Sequence, residues 1–179
     1  MRPTHLGVIL TMMLPCLGIA AEKPRAEEEL AEARRQAGDQ HKNIFLIFSA
    51  SWCGPCRQLE RFLETPRIET IVEKHFIVVN LAVEEKLGKK PELDTPGGEK
   101  LMAKLGGGSG SVPFFVFLSS EGEPLVNSNR PAKGIAGGTN IGYPAEPEEI
   151  DWFMAMLKKG APALTAEDAR VLESYLRSP

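Results

Sequence analysis

The sequence predicts a three-layer α/β/α sandwich. Residues 43–48 (NIFLIF), 76–83 (FIVVNLAV) and 114–118 (FFVFL) are apolar runs, too short for free helices and rich in β-forming residues. Such runs read as strands covered on both faces. Stretches of helical periodicity stand between and around them, and strands of this kind need a helical layer on each side. The length, 179 residues, accommodates one domain with a substantial core and leaves little room for two.

In chain order, Arg2 and His5 precede the uncharged run Leu6 to Ala20, which ends in Gly18-Ile19-Ala20. Residues 1–20 therefore read as a secretory signal peptide with small residues where a signal peptidase cuts. The run, about fifteen residues, is short for a membrane span. Cleavage after Ala20 would leave an exported chain, periplasmic or secreted, with no stable membrane span. Lipoprotein anchoring at Cys16 is the weaker alternative, because Met13 and Pro15 stand where that processing favours a leucine and a small residue. Loss of Arg2 would take the net charge from -3 to -4. No basic field then points to nucleic acid or anionic lipid.

Residues 21–41 form an N-terminal helical segment. Over 25–38, Ala26, Leu30, Ala33 and Ala37 share one side and Glu and Arg the other, with Gly38 as the stop. After the strand at 43–48, Leu59, Phe62 and Leu63 recur at helical spacing, and Pro66 ends or kinks that helix before Ile68, Ile71 and Val72 continue in a second. Beyond the strand at 76–83, residues 84–98 are polar and rich in Pro and Gly, and read as a loop or insertion. Leu101, Met102 and Leu105 give a short helix that stops at GGGSGS, a flexible linker from Gly106. Glu121-Gly122 turns the strand at 114–118 into a fourth.

Residues 127–147 read as a long surface loop. In the stretch 133–149, Ile141 and Tyr143 either face a partner or, as the preferred reading, pack back onto the domain. Ile150, Phe153, Met154 and Leu157 then mark an amphipathic helix ending at Gly160. Residues 161–179 add an extra C-terminal helix. Thr165 and Asp168 resemble a capping box at its start, Val171, Leu172, Tyr175 and Leu176 form its buried side, and it would cover a sheet face or edge.

After signal cleavage the only thiols are Cys53 and Cys56, in the stretch SASWCGPCRQLE. A cysteine at the junction of a buried strand and a helix faces unpaired N-H groups and the positive end of the helix dipole, which favour thiolate over thiol. Cys53 has that place and is expected to be the exposed attacking sulfur. Cys56, one turn into the helix and partly shielded, would resolve the mixed disulfide. Pro55 fits the first helical turn, and Gly54 keeps the approach to sulfur open. Trp52 adjoins the sulfur and reads as rim rather than core.

Other uses of the pair fit less well. A structural zinc site needs four ligands, and the mature chain offers only His41 and His75 besides, both expected on the surface next to strand starts. Haem attachment needs a histidine where Arg57 stands. A permanent staple closing so short a gap removes little unfolded-state entropy. A bond that is broken and remade is the reading these residues favour.

WCGPC after a buried strand and before a helix resembles the active site of thioredoxin-like proteins, over residues 42–160 as a domain, with Val112-Pro113 where that family has its cis-proline loop. The resemblance implies a thioredoxin fold with a central mixed sheet and the activity of a thiol-disulfide oxidoreductase. Cys53 and Cys56 would be catalytic, and Trp52, Gly54, Pro55, Val112 and Pro113 would bind substrate. One position departs: reductive thioredoxins usually carry a buried aspartate where Ile47 stands, which implies slower proton transfer at Cys56 or a different base; Glu60 on the following helix is the weak candidate for that base and reads first as a solvated helix residue. No metal or organic cofactor is implied, since GGGSGS lacks the strand-then-helix setting of a dinucleotide loop. An external protein would donate or accept electrons, and protein disulfides or thiols would be the substrates. The Gly-Pro dipeptide resembles reducing members more than oxidising ones. A binding or chaperone-like module with little redox turnover is the alternative.

Overall fold

In the computed structural model, which describes residues 23–178, the strand over Asn43–Ser49 (β1) runs through the middle of a four-stranded sheet. The signal-like residues 1–20, with Cys16, lie outside the described residues. The sheet order is β2-β1-β3-β4, with β2 at Phe76–Ala82, β3 at Phe114–Leu118 and β4 at Pro124–Asn127. β1 pairs parallel with β2 and antiparallel with β3, and β3 pairs antiparallel with β4, so the sheet is mixed.

Side chains alternate across the sheet and divide the core in two. Phe45, Ile47, Phe115 and Phe117 point to one face, where they meet α2 (Gly54–Leu63), α3 (Pro66–His75), α5 (Pro147–Gly160) and α6 (Ala166–Leu176). Ile44, Leu46, Phe48, Phe114, Val116 and Leu118 point to the other, under α1 (Ala26–Gln40) and α4 (Gly98–Lys104). The three-layer sandwich is therefore present. Phe45 is its aromatic centre, with its ring edge-on to Phe76, Phe115 and Phe117 at centroid distances of 5.9, 5.6 and 4.8 Å. Gly160 closes the end of α5 on Phe117, whose Cδ2 lies 2.4 Å from where a Cβ would stand. Among the described residues no helix is long and apolar enough to cross a membrane.

Several elements differ from expectation. β2 is a sheet edge rather than a strand covered on both sides, and Val78 is 42% exposed. Its apolar run matches that of β1 in composition, but of the two β1 alone has neighbours on both edges. α1 passes Gly38 and ends at Gln40, where His41 takes a left-handed cap conformation and its N-H bonds the carbonyls of Ala37 and Gly38. His41 is exposed, whereas His75, the last residue of α3, is half-buried, and burial pushes its imidazole below the ordinary value.

GGGSGS is part of the packed structure and no free linker: a Cβ on Gly107 would come within 2.5 Å of Met102 Cγ and 2.9 Å of Phe114 Cδ1. The surface loop at 127–147 contains a separate hairpin, β5 (Asn129–Ala132) with β6 (Ile135–Asn140). Gly138 makes its close pairing possible, with φ at +80° and no room for a Cβ against the Arg130 carbonyl. Ile141 packs back into the core. α6 lies against α3 and α5 rather than on the sheet, with Leu172 and Leu176 buried. Tyr175 stays 40% exposed while its ring meets that of Phe62 at a tilt of 55°. Thr165 accepts the Asp168 N-H, which caps that helix from one side.

Candidate active site

The register of β1 against β3 builds the site. Phe48 stands opposite Phe114, so the loop leaving β1 and the loop entering β3 meet at one end of the sheet. The first carries Cys53 and the second carries Val112 and Pro113, joined by a cis peptide bond as the resemblance implies.

Cys53 is the N-cap residue of α2 and Pro55 lies in the first turn of that helix, where a proline's missing N-H costs nothing. Cys53 and Cys56 form a disulfide with their Cα atoms 5.3 Å apart. The Cys56 N-H donates to Cys53 Sγ over 3.1 Å, and the Val112 carbonyl oxygen lies 3.5 Å from the same sulfur. The residues expected to work together are thus brought together: Cys53, Cys56, Pro55, Val112 and Pro113 by position, and Gly54 and Trp52 at the rim. Only Arg57, at 4.0 Å, approaches a Cβ placed on Gly54, so that side is open. Trp52 is 39% exposed, and its indole N-H donates to the Glu84 carbonyl.

The exposure of Cys53 is a correction. It is 3% exposed and Cys56 is 7% exposed, so the sulfur expected to attack is no more open than its partner. In the disulfide each sulfur is turned toward the other, and Ala50 and Val112 pack around the pair. Beside it runs a groove of about 470 Å³ bordered by Pro55, Gln58, Ser111, Val112 and Tyr143. Cys56 faces a smaller cavity of about 210 Å³ with Ile47 in its wall and Glu60 at its exposed edge.

Sequence reasoning missed the residues that hold these loops. Asn140, from the hairpin, donates its amide to the carbonyls of Ser111 (2.7 Å) and Pro113 (3.0 Å). Its oxygen accepts from the buried Ser128 hydroxyl, which in turn accepts the Phe115 N-H. Asn140 lies in a Gly-rich stretch, and no local signal marks it. Asn140→Ala is expected to lower the unfolding free energy by about 1–3 kcal/mol, the cost of leaving such partners unmatched. A urea titration checks this, and an unmoved midpoint would remove Asn140 from the support of the loop.

Glu84 and Glu85, inside the supposed polar insertion, are buried. The Glu85 carboxylate accepts from Ser51 N-H and Ser51 Oγ, both at 2.7 Å. The Glu84 carboxylate accepts from Gly110 N-H at 2.8 and 3.0 Å. Residues 84–98 thereby tie the cysteine loop to the loop that precedes Pro113.

Residues 25–120 match a family model described as thioredoxin-like. The chain is 26% identical over 118 residues to a tryparedoxin of Trypanosoma brucei brucei, covering 58% of this chain and 78% of that protein. Among solved structures, a disulphide isomerase from Xylella fastidiosa Temecula1 is 25% identical, covering 57% of this chain and 72% of that one at a TM-score of 0.44. A thioredoxin from Thermus thermophilus is 18% identical, covering 78% and 90%, also at 0.44.

Proposed function

Since the chain belongs to the thioredoxin-like family and is a thiol-disulfide oxidoreductase, we propose that it is exported and reduces protein disulfides through Cys53 and Cys56. The observation that carries this reading is the helix-terminal N-H of Cys56 aimed at Cys53 Sγ. In the reduced protein that amide and the N-terminus of α2 favour a thiolate on Cys53. The thiolate attacks one sulfur of a substrate disulfide, forming a mixed disulfide and releasing the other sulfur as a thiolate that takes a proton from water. Cys56 gives up its proton to water and its thiolate attacks Cys53 Sγ; the second substrate sulfur leaves as a thiolate and takes up a proton, and the Cys53-Cys56 disulfide is left two electrons poorer. A dithiol protein outside the chain restores the pair by the reverse exchange.

Val112, before Pro113, supplies a backbone edge for an extended substrate, and the groove past Pro55 and Tyr143 receives the flanking residues. Trp52 and Gly54 border the approach. The Arg2, Leu6–Ala20 and Gly18-Ile19-Ala20 pattern supports export.

Equilibration with a glutathione series tests the direction. A potential near about -270 mV is expected, and one near about -120 mV would make the protein an oxidant instead. N-terminal sequencing of the protein from its native host is expected to begin at Ala21, and a chain that begins at Met1 or Arg2 would overturn export. The second reading, a binding module with little turnover, is favoured by one observation, the nearly complete burial of both sulfurs.

A further inference from the structure

Glu84 and Glu85 are the only buried acidic side chains among the described residues, at 3% and 2% exposure. Neither has a Lys or Arg within ion-pair distance; the ion pairs of this region join Lys86 to Glu99 instead. Their carboxylate oxygens are satisfied by Ser51 and Gly110, the two loops that flank Cys53. A buried charge without a counter-ion costs stability. Its placement at the redox pair is the compensation to be explained.

Chain reach holds the Glu85 carboxylate within roughly 10 Å of Cys53 Sγ, because it bonds the backbone two residues away. Negative charge there acts against a thiolate on Cys53, in opposition to the α2 N-terminus. Arg57 acts in favour of the thiolate and donates to the Ser51 carbonyl at 3.0 Å, so the Ser51 residue is gripped from both sides. The Arg57 side chain is exposed and screened by water, whereas the Glu85 carboxylate is buried, where charge is screened less. The other charges of this segment are Asp94, which accepts the Glu85 N-H, and the exposed Lys86, Lys89, Lys90 and Glu92, with Glu99 paired to Lys86.

We propose that Glu84 and Glu85 are positioning residues that bias the Cys53-Cys56 pair toward the disulfide, and so make the dithiol a stronger reductant. They do this by fixing the Ser51 and Gly110 loops around Cys53 and by placing beside it buried negative charge that has no Lys or Arg within ion-pair distance among the described residues. The relevant exchange is protein disulfide plus two glutathione thiols giving protein dithiol plus glutathione disulfide, with two electrons entering the pair. Stabilising the Cys53 thiolate pulls this equilibrium to the right. The proposal rests on Cys53 and Cys56 being the redox pair, which the wild-type equilibrium tests separately; only the difference between variant and wild type bears on the two glutamates.

Glu85→Gln keeps the shape and one acceptor but removes the charge. At roughly 10 Å and an effective dielectric of about 20–40, loss of the charge is expected to raise the equilibrium constant toward dithiol about 4- to 15-fold at pH 8. The ionisation midpoint of Cys53, followed by thiolate absorbance in the reduced protein, is expected to fall by about 0.6–1.2 units. A change confined to loop geometry would not lower that midpoint. A folded Glu85→Gln protein with the midpoint unchanged or raised overturns the proposal. If that variant fails to fold, Glu84→Gln is carried through the same two measurements. If neither folds, the carboxylates hold the fold rather than tune the pair, and the proposal fails.

Discussion

Cys53→Ser is expected to abolish reduction of insulin disulfides, lowering turnover by on the order of a thousandfold or more, since a serine hydroxyl does not displace sulfur from a disulfide. Cys56→Ser is expected to differ in kind. It retains the attacking sulfur at the N-terminus of α2 but has nothing to displace the substrate from it, so mixed disulfides with substrate proteins should accumulate. Non-reducing gels followed by reduction would reveal them. The pair of results discriminates between the two readings: undiminished protein binding with negligible wild-type turnover, and no trapped species, would favour the binding module. The near burial of Cys53 makes this comparison informative, because an in-line attack on its sulfur must pass Gly54 or the groove by Val112.

Phe45→Ala is expected to lower stability by about 3–5 kcal/mol, as large-to-small changes at buried aromatic positions do. Phe45 is 1% exposed and lies edge-on to three other phenylalanines, so its removal leaves a cavity bounded by rings on β2 and β3. For a domain of this size the thermal midpoint should fall by about 10 °C or more. Circular dichroism melts and urea titrations would measure it. A loss under about 1 kcal/mol would contradict the packing described, since even one lost ring contact carries roughly that much.

NIFLIF carried its strand assignment in its own composition, and CGPC carried both its helix start and its chemistry. Pro at the first turn, a sulfur at the cap and apolar spacing behind it are local features, each with a local physical cause. FIVVNLAV was misjudged for the complementary reason: an apolar run reports that a strand is at least partly buried, not how many strands pair with it, and only β1 lies beside β2. Glycine's freedom makes GGGSGS look like a linker, yet Met102 and Phe114 leave no space for a side chain at Gly107. Those contacts join segments the sequence does not place side by side.

The order of strands and helices and the redox pair were thus determined by short-range patterns, because periodicity, capping and thiol spacing act within one or two turns of chain, while the proline facing the pair was implied by the resemblance to thioredoxin-like proteins. Tertiary structure alone decided that Glu84, Glu85 and Asn140 converge on the cysteine and proline loops from 26 to 34 residues away along the chain. It also decided that both sulfurs are covered. Hydrogen bonds between distant loops depend on which backbone groups the sheet register leaves unpaired, and that register exists only once β1, β2 and β3 have assembled.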